Sequence, residues 1–211
     1  MNQLSPEWFA ERCGKVTASR VADLMARTKS GWGASRANYM AELIAERLTG
    51  QTAESYTNAA MQWGQEHEQQ ARDAYLFYFD VSVIQAGFIP HTGIKDFGAS
   101  PDGLVGDDGL VEIKCPNTAT HIDTLISNRI PDKYETQMQS QLACTGREWV
   151  DFISFDPRMP EQLRMFCRRL MRDEQKIDEI ERSVMGFMEE LNNKITALEN
   201  TWQNASQQKT A

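Results

Sequence analysis

The sequence predicts an α/β fold with a small central mixed β-sheet, flanking helices and a long carboxy-terminal helix. Three observations carry this. Helical patterns fill the chain from Pro6 to Phe79, strand patterns run from Val81 to Lys114, and helix, strand and helix follow. Within Ser100–Lys114, two strand-like runs flank Gly106-Asp107-Asp108-Gly109, a turn signal. From Glu161 to about Asn200 the chain is charged, with Leu163, Phe166, Leu170, Ile177, Ile180, Val184, Phe187 and Leu191 as an apolar stripe of helical period.

Each element has its own signal. Ser5-Pro6 starts a helix that Gly14 closes, Pro being suited to the first helical position. Thr17-Ala18-Ser19 opens a second, with Val21, Leu24 and Met25 at core spacing. Lys29 to Gly33 reads as a loop. Ser35 can cap a third helix, whose stripe Tyr39, Met40, Leu43, Ile44 and Leu48 ends at Gly50. Residues 51–57 form a polar linker. A long helix from about Asn58 to Phe79 aligns Gly64, Glu68, Ala71 and Tyr75 on one face. Val81–Pro90 is expected as one strand, and Phe97–Ala99 leads towards Asp102. Thr120–Asn128 is helical, and Asp132 caps a helix that Gly146 ends, with Gln137 and Gln141 on a shared face. Trp149–Phe155 is a strand closed by Asp156-Pro157. One domain is expected over residues 1–200, with a polar, disordered tail over 201–211.

A chain of 211 residues, 41% hydrophobic and 25% charged, suits one globular domain with a sizeable core. No apolar run reaches membrane-span length and no signal-peptide pattern appears, so a cytoplasmic location is expected. Cys13, Cys115, Cys144 and Cys167 stand apart without a C-x-x-C pair, which argues against a zinc site or a disulfide framework. The net charge of −8 argues against a protein that coats nucleic acid. Yet from Arg12 to Arg36 six cations (Arg12, Lys15, Arg20, Arg27, Lys29 and Arg36) face Asp23 alone, a local basic patch.

The chemistry concentrates in Asp102, Glu112 and Lys114. Side chains alternate along Leu110–Lys114, so Glu112 and Lys114 share one face while Val111, Ile113 and Cys115 point the other way. The turn at Gly106–Gly109 lets Asp102 return beside them. Two carboxylates offer hard oxygen ligands for Mg²⁺. That ion polarises a phosphodiester and lowers the pKa of a water. Lys114 can orient the water, or take its proton if its surroundings lower its own pKa. The same spacing also fits a hairpin with ordinary surface charges, and Glu68 fits a half-exposed structural carboxylate.

Further residues complete a pattern. They are Trp8, Arg12-x-Gly14-x-x-Thr17-Ala18-Ser19, Trp63-Gly64, Glu68, Ser100-Pro101-Asp102-Gly103, Glu112-x-Lys114-Cys115-Pro116, Gln137-x-Gln139 and Phe155-Asp156-Pro157-Arg158-Met159. In this order, from about Trp8 to Met159, the chain resembles the phage lambda exonuclease family, alkaline exonucleases with a restriction-endonuclease-like core. The resemblance implies an exonuclease that needs Mg²⁺, with Mn²⁺ able to substitute and two ions in the site. It implies digestion of one strand of double-stranded DNA from the 5′ end to mononucleotides, leaving a 3′ overhang for recombination by strand annealing. A homotrimeric ring threaded by DNA, a single-strand annealing recombinase as partner, and a phage or prophage gene in a bacterial host come with it.

The resemblance also assigns roles. Asp102, Glu112 and the Ile113 carbonyl match metal ligands, Lys114 the catalytic lysine, and Glu68 a helix carboxylate that holds metal-bound water. Gln137 matches a glutamine near the attacking water, with Gln139 as second choice. Arg12, Ser19 and Ser100 match a pocket for the terminal 5′-phosphate. Met61 matches an apolar wedge at the duplex end, and Lys29 is the accompanying DNA contact. One departure is visible: Thr120 stands where the family carries a DNA-contacting arginine. Two alternatives compete, a non-catalytic DNA-binding scaffold on the same fold and a single-strand-specific nuclease.

Overall fold

The computed structural model describes residues 3–29, 31–52 and 59–208, with side chains apart from those of 60, 61 and 202–208. The amino-terminal part carries α1 (Pro6–Arg12), β1 (Val16–Thr17), α2 (Val21–Met25), β2 (Arg27–Thr28), β3 (Gly31–Trp32) and α3 (Ala34–Thr49). After the expected linker, of which 53–58 lie outside the described residues, come α4 (Ala59–Phe79), β4 (Val83–Ile84), β5 (Ile89–Pro90), β6 (Phe97–Ala99), β7 (Gly103–Val105) and β8 (Gly109–Lys114). The rest is α5 (Thr118–Ser127), α6 (Asp132–Thr145), β9 (Trp149–Phe155), β10 (Met165–Met171) and α7 (Glu174–Gln208).

The expected mixed sheet has the order β10-β9-β8-β7-β4. Only β8 and β9 run parallel; the other neighbours are antiparallel. On one face, Val111, Ile113, Cys115 and Ile153 pack against Ala71 and Tyr75 of α4. On the other, Leu110, Val150 and Phe152 pack against Met138 and Leu142 of α6 and Ile177 of α7. The central strands are covered on both sides, as parallel pairing usually requires. A second core joins Val21 and Leu24 of α2, Tyr39 and Leu43 of α3, and Val184 and Phe187 of α7. It includes Phe97 and Ala99 of a smaller sheet, β1-β6-β5.

Six expectations need correction. The tail expected to be disordered from residue 201 continues α7 through Gln208, and Pro131, not Asp132, occupies the N-cap of α6. Val81–Pro90 is not one strand: β4 edges the large sheet, and the chain then crosses to β5 in the small one. Ala86 and Phe88, both buried, anchor the crossing. The final helix does not begin at Glu161. Residues 165–171 form β10, paired with β9 from Met165↔Phe155 to Met171↔Trp149. Phe166 and Leu170 are four apart, a spacing that fits one face of a helix or of a strand, and the open edge of β9 decides between them. The helix starts after Asp173, whose carboxylate accepts from Gln175 N and Lys176 N. The loop at 29–33 contains half of a small hairpin, β2 with β3. Gly33, not Ser35, caps α3; the Ser35 hydroxyl instead donates to the Asp23 carbonyl.

Candidate active site

β8 carries the centre of the site. Its alternation puts Glu112 and Lys114 on the α6 side of the sheet, as expected, and Cys115 in the opposite core. Burial pushes the Cys115 thiol up to about 12, which leaves it a core residue rather than a nucleophile. Glu112 is fully buried, and its oxygens are held by three donors. Lys114 Nζ lies 2.5 Å from Oε1, Gln137 Nε2 donates to Oε1 at 2.6 Å, and Gln141 Nε2 donates to Oε2 at 2.6 Å. Gln137 and Gln141 are one turn apart on α6, so packing of that helix on β8 delivers both to one carboxylate. Gln139, on another face of α6, donates to the Met171 carbonyl and stands apart from the site.

Asp102, immediately before β7, reaches the same strand from the side. Its Oδ2 accepts the Ile113 N–H at 2.6 Å. Burial, then the neighbouring Glu112 charge, raises its pKa well above the ordinary carboxylate range. Lys114 does not show the lowering expected of a base. Burial pulls its ammonium down, but Glu112 and Asp102 more than offset this and hold it above its ordinary value. The surroundings therefore favour the charged form of Lys114.

Glu68 approaches from the α4 layer. Arg72, which is buried, joins it to the centre: its Nη2 donates to Glu68 Oε1 at 2.6 Å and to the Asp102 carbonyl at 3.2 Å. The Nε of Arg72 and the Oε1 of Gln141 are buried without a partner among the described residues. The sequence places Gln141 on a face with Gln137 but assigns it no role, and Arg72 carries only one local signal, its i, i+4 spacing from Glu68.

The donors suit a hard divalent cation. Asp102 and Glu112 crowd negative charge that lifts the Asp102 pKa, and a backbone carbonyl at Ile113 belongs to the same strand. Among the described residues no three His, Cys, Asp or Glu side chains form a complete metal shell. Mg²⁺ needs only one or two carboxylates beside water and substrate phosphate, so this set fits it better than an all-protein cage ion.

The second cluster lies at α1. Arg12 Nη1 donates to Ser100 Oγ at 3.0 Å, Trp8 Nε1 donates to the same oxygen at 3.0 Å, and the guanidinium rests 4.0 Å over the Trp8 ring. Among the described residues Arg12 forms no ion pair, and burial lowers its pKa. Arg12 and Ser19 line one cavity of about 500 Å³. Of the six basic residues, Arg20 pairs with Asp23 and Glu42, and Arg36 with Glu190, so those two are neutralised internally. Lys29 is exposed between β2 and β3. Met61 falls on α4, but its side chain lies outside the described residues.

Residues 7–148 match the family model of the YqaJ-like viral recombinase domain. The chain belongs to that family. The YqaJ-like chain is also similar to solved structures. One is the crystal structure of LHK-Exo in complex with dAMP, at 52% identity and a TM-score of 0.90, covering 95% of this chain and 100% of that one. A second is an alkaline exonuclease, LHK-Exo, from Laribacter hongkongensis, at 52% identity and a TM-score of 0.89 with the same coverage. A phage-related exonuclease from Haemophilus somnus 129PT, at 17% identity and a TM-score of 0.70, covers 87% of this chain and 96% of its own and shares the fold. No curated protein matches the chain. The expected lambda exonuclease-like family and α/β fold are thus borne out, and no helix among the described residues is long and apolar enough to cross a membrane.

Proposed function

We propose that this YqaJ-like protein is a Mg²⁺-dependent 5′-to-3′ exonuclease. In this reading it digests one strand of double-stranded DNA to 5′-mononucleotides and leaves a 3′ overhang for strand annealing. One observation carries it: Asp102, Glu112, Lys114 and Gln137 converge at one end of β8, and Asp102 lines a cavity that shares Leu4 and Gln65 with the cavity lined by Arg12 and Ser19. Two similar structures at 52% identity, an alkaline exonuclease and its dAMP complex, support the reaction class and a mononucleotide product.

The roles follow from chemistry. Asp102, Glu112 and the Ile113 carbonyl would hold the divalent ion, Mg²⁺ or Mn²⁺, one or two ions in all. When bound, the ion polarises the scissile phosphodiester and eases deprotonation of an attacking water. Lys114, charged, donates to oxygens of that water or of the phosphate. Gln137 and Gln141 fix the Glu112 carboxylate, and Gln137, the more accessible of the two, can also reach the attacking water. Glu68, steered by Arg72, holds water from the α4 side. Arg12, Ser19 and Ser100 would take the terminal 5′-phosphate: among the described residues Arg12 makes no ion pair, although the Glu46 charge acts on it, and the hydroxyls beside it add donors for an anion. Met61 would wedge the duplex end and Lys29 would contact its backbone. We further assign residues 1–200 to one nuclease domain, working in the cytoplasm as a homotrimeric ring with an annealing recombinase.

The test is digestion of a linear duplex labelled at either end of one strand, with Mg²⁺ or with chelator. Label at the 5′ end should leave first, as a mononucleotide, and only with Mg²⁺. Earlier release of 3′ label, or equal digestion in chelator, would overturn the proposal.

A further inference from the structure

Two cavities meet at the site. The first, about 500 Å³, is lined by Arg12 and Ser19; the second, about 450 Å³, by Asp102, Glu68 and Arg72. Among the described residues two line both: Leu4 and Gln65. Consecutive phosphates of a strand are separated by one nucleoside. If the terminal phosphate occupies the first cavity and the scissile phosphate the second, the terminal nucleoside must cross the wall they share.

Leu4 is unusual in its own right. Its φ of 65° lies in the left-handed region, which costs a residue with a Cβ about 1–2 kcal/mol. Its side chain remains 52% exposed, so core packing does not explain the strain. The neighbours impose the conformation. Gln3 Nε2 donates to the Ala86 carbonyl at 3.0 Å and to the Pro101 carbonyl at 2.8 Å, and Ser5 caps α1 by accepting the Trp8 N–H. Because Pro101 immediately precedes Asp102, the Gln3 bond ties Leu4 to the loop that carries the proposed metal ligand. Strain held by the surroundings at a cavity mouth points to a use for the side chain.

We propose that Leu4 and Gln65 form the subsite for the 5′-terminal nucleoside, an inference that rests on the functional reading above. Leu4 supplies an apolar surface for the sugar and base, and Gln65, from α4, supplies an amide that donates or accepts. Apolar contact with a few polar groups is the usual composition of a small-molecule subsite. Every base presents an apolar face and the amide has both hydrogen-bonding senses, so this wall grips any of the four nucleosides. That suits an enzyme that must process every sequence.

The test is direct binding, without metal and without turnover. The full-length protein and its Leu4→Gly and Gln65→Ala variants are titrated by calorimetry with dAMP and, separately, with inorganic phosphate. The wild type should bind dAMP more tightly than phosphate. Leu4→Gly relieves the left-handed conformation, so its melting temperature should hold or rise, while its dAMP affinity falls about five- to tenfold. Its phosphate affinity should stay unchanged, and Gln65→Ala should show a smaller loss of the same kind. Unchanged dAMP binding in Leu4→Gly overturns the subsite alone, as does an equal loss for dAMP and phosphate. A wild type that binds neither ligand overturns the phosphate pocket, and the subsite with it.

Discussion

Asp156 offers a prediction whose size can be worked out. It closes β9, is fully buried, and accepts four hydrogen bonds: from Arg158 N at 3.0 Å, Arg158 Nε at 2.7 Å, Arg158 Nη2 at 3.0 Å and Thr118 Oγ1 at 2.6 Å. Arg158 also donates to the Pro116 carbonyl at 3.3 Å and rests 4.1 Å over the Trp63 ring. The clasp thus ties α4 and α5 to the Lys114-Cys115-Pro116 end of β8. Burial pushes the Asp156 pKa up, but the bonds from Arg158 and Thr118 dominate and bring it from the ordinary 3.8 to about 2. The folded-state pKa lies below the unfolded one, so the stabilisation is complete above about pH 5 and disappears as pH falls through 2. The gap corresponds to about 2 kcal/mol at pH 7, of which roughly half remains at pH 3. Asp156→Asn should therefore lower the melting temperature by about 4–8 °C at pH 7, at roughly 2–4 °C per kcal/mol for a chain of this size. By pH 3 the difference should shrink to about half. Melting curves of both proteins at pH 7, 5 and 3 check this. A difference of the same size at pH 3 as at pH 7 would show that the charge of Asp156 is not the source.

Other outcomes follow from the site. Asp102→Ala or Glu112→Ala should abolish Mg²⁺-dependent DNA digestion, and Lys114→Ala should stop turnover while retaining DNA binding; strong digestion by Asp102→Ala would rule the site out. Gln141→Leu strips Glu112 Oε2 of its donor, whereas Gln137→Leu leaves Lys114 on Oε1, so the first should need about tenfold more Mg²⁺ for half-maximal digestion and the second should mainly slow turnover at saturating Mg²⁺. Equal Mg²⁺ requirements in the two would count against this division. Arg12→Ala should remove a preference for 5′-phosphorylated over 5′-hydroxyl ends by about ten- to a hundredfold, the worth of one or two charge-assisted hydrogen bonds. Wild-type digestion of both ends at one rate would remove the basis for that pocket.

The sequence by itself determined whatever depends on short-range periodicity. Alternation along Leu110–Lys114 put Glu112 and Lys114 on one face and Cys115 on the other, and the structure keeps that division. The four-residue spacing on α6 put Gln137 and Gln141 together, and the turn at Gly106–Gly109 forms, with Gly106 at a left-handed φ of 53°. Tertiary structure decided which of these faces meet. Gln141 becomes a ligand holder only because α6 packs over β8, and Arg72 reaches Asp102 across thirty positions of sequence. Arg12 meets Ser100 because α1 lies beside the approach to β7, a proximity that no local signal encodes. Residues 165–171 show the same limit from the other side. Their apolar spacing satisfies a helix and a strand equally, and the unpaired edge of β9 supplies the backbone partners that settle it. Side-chain periodicity is fixed by the bond geometry of a few residues, whereas the choice of partner is fixed by burial and hydrogen bonding among segments far apart in the chain.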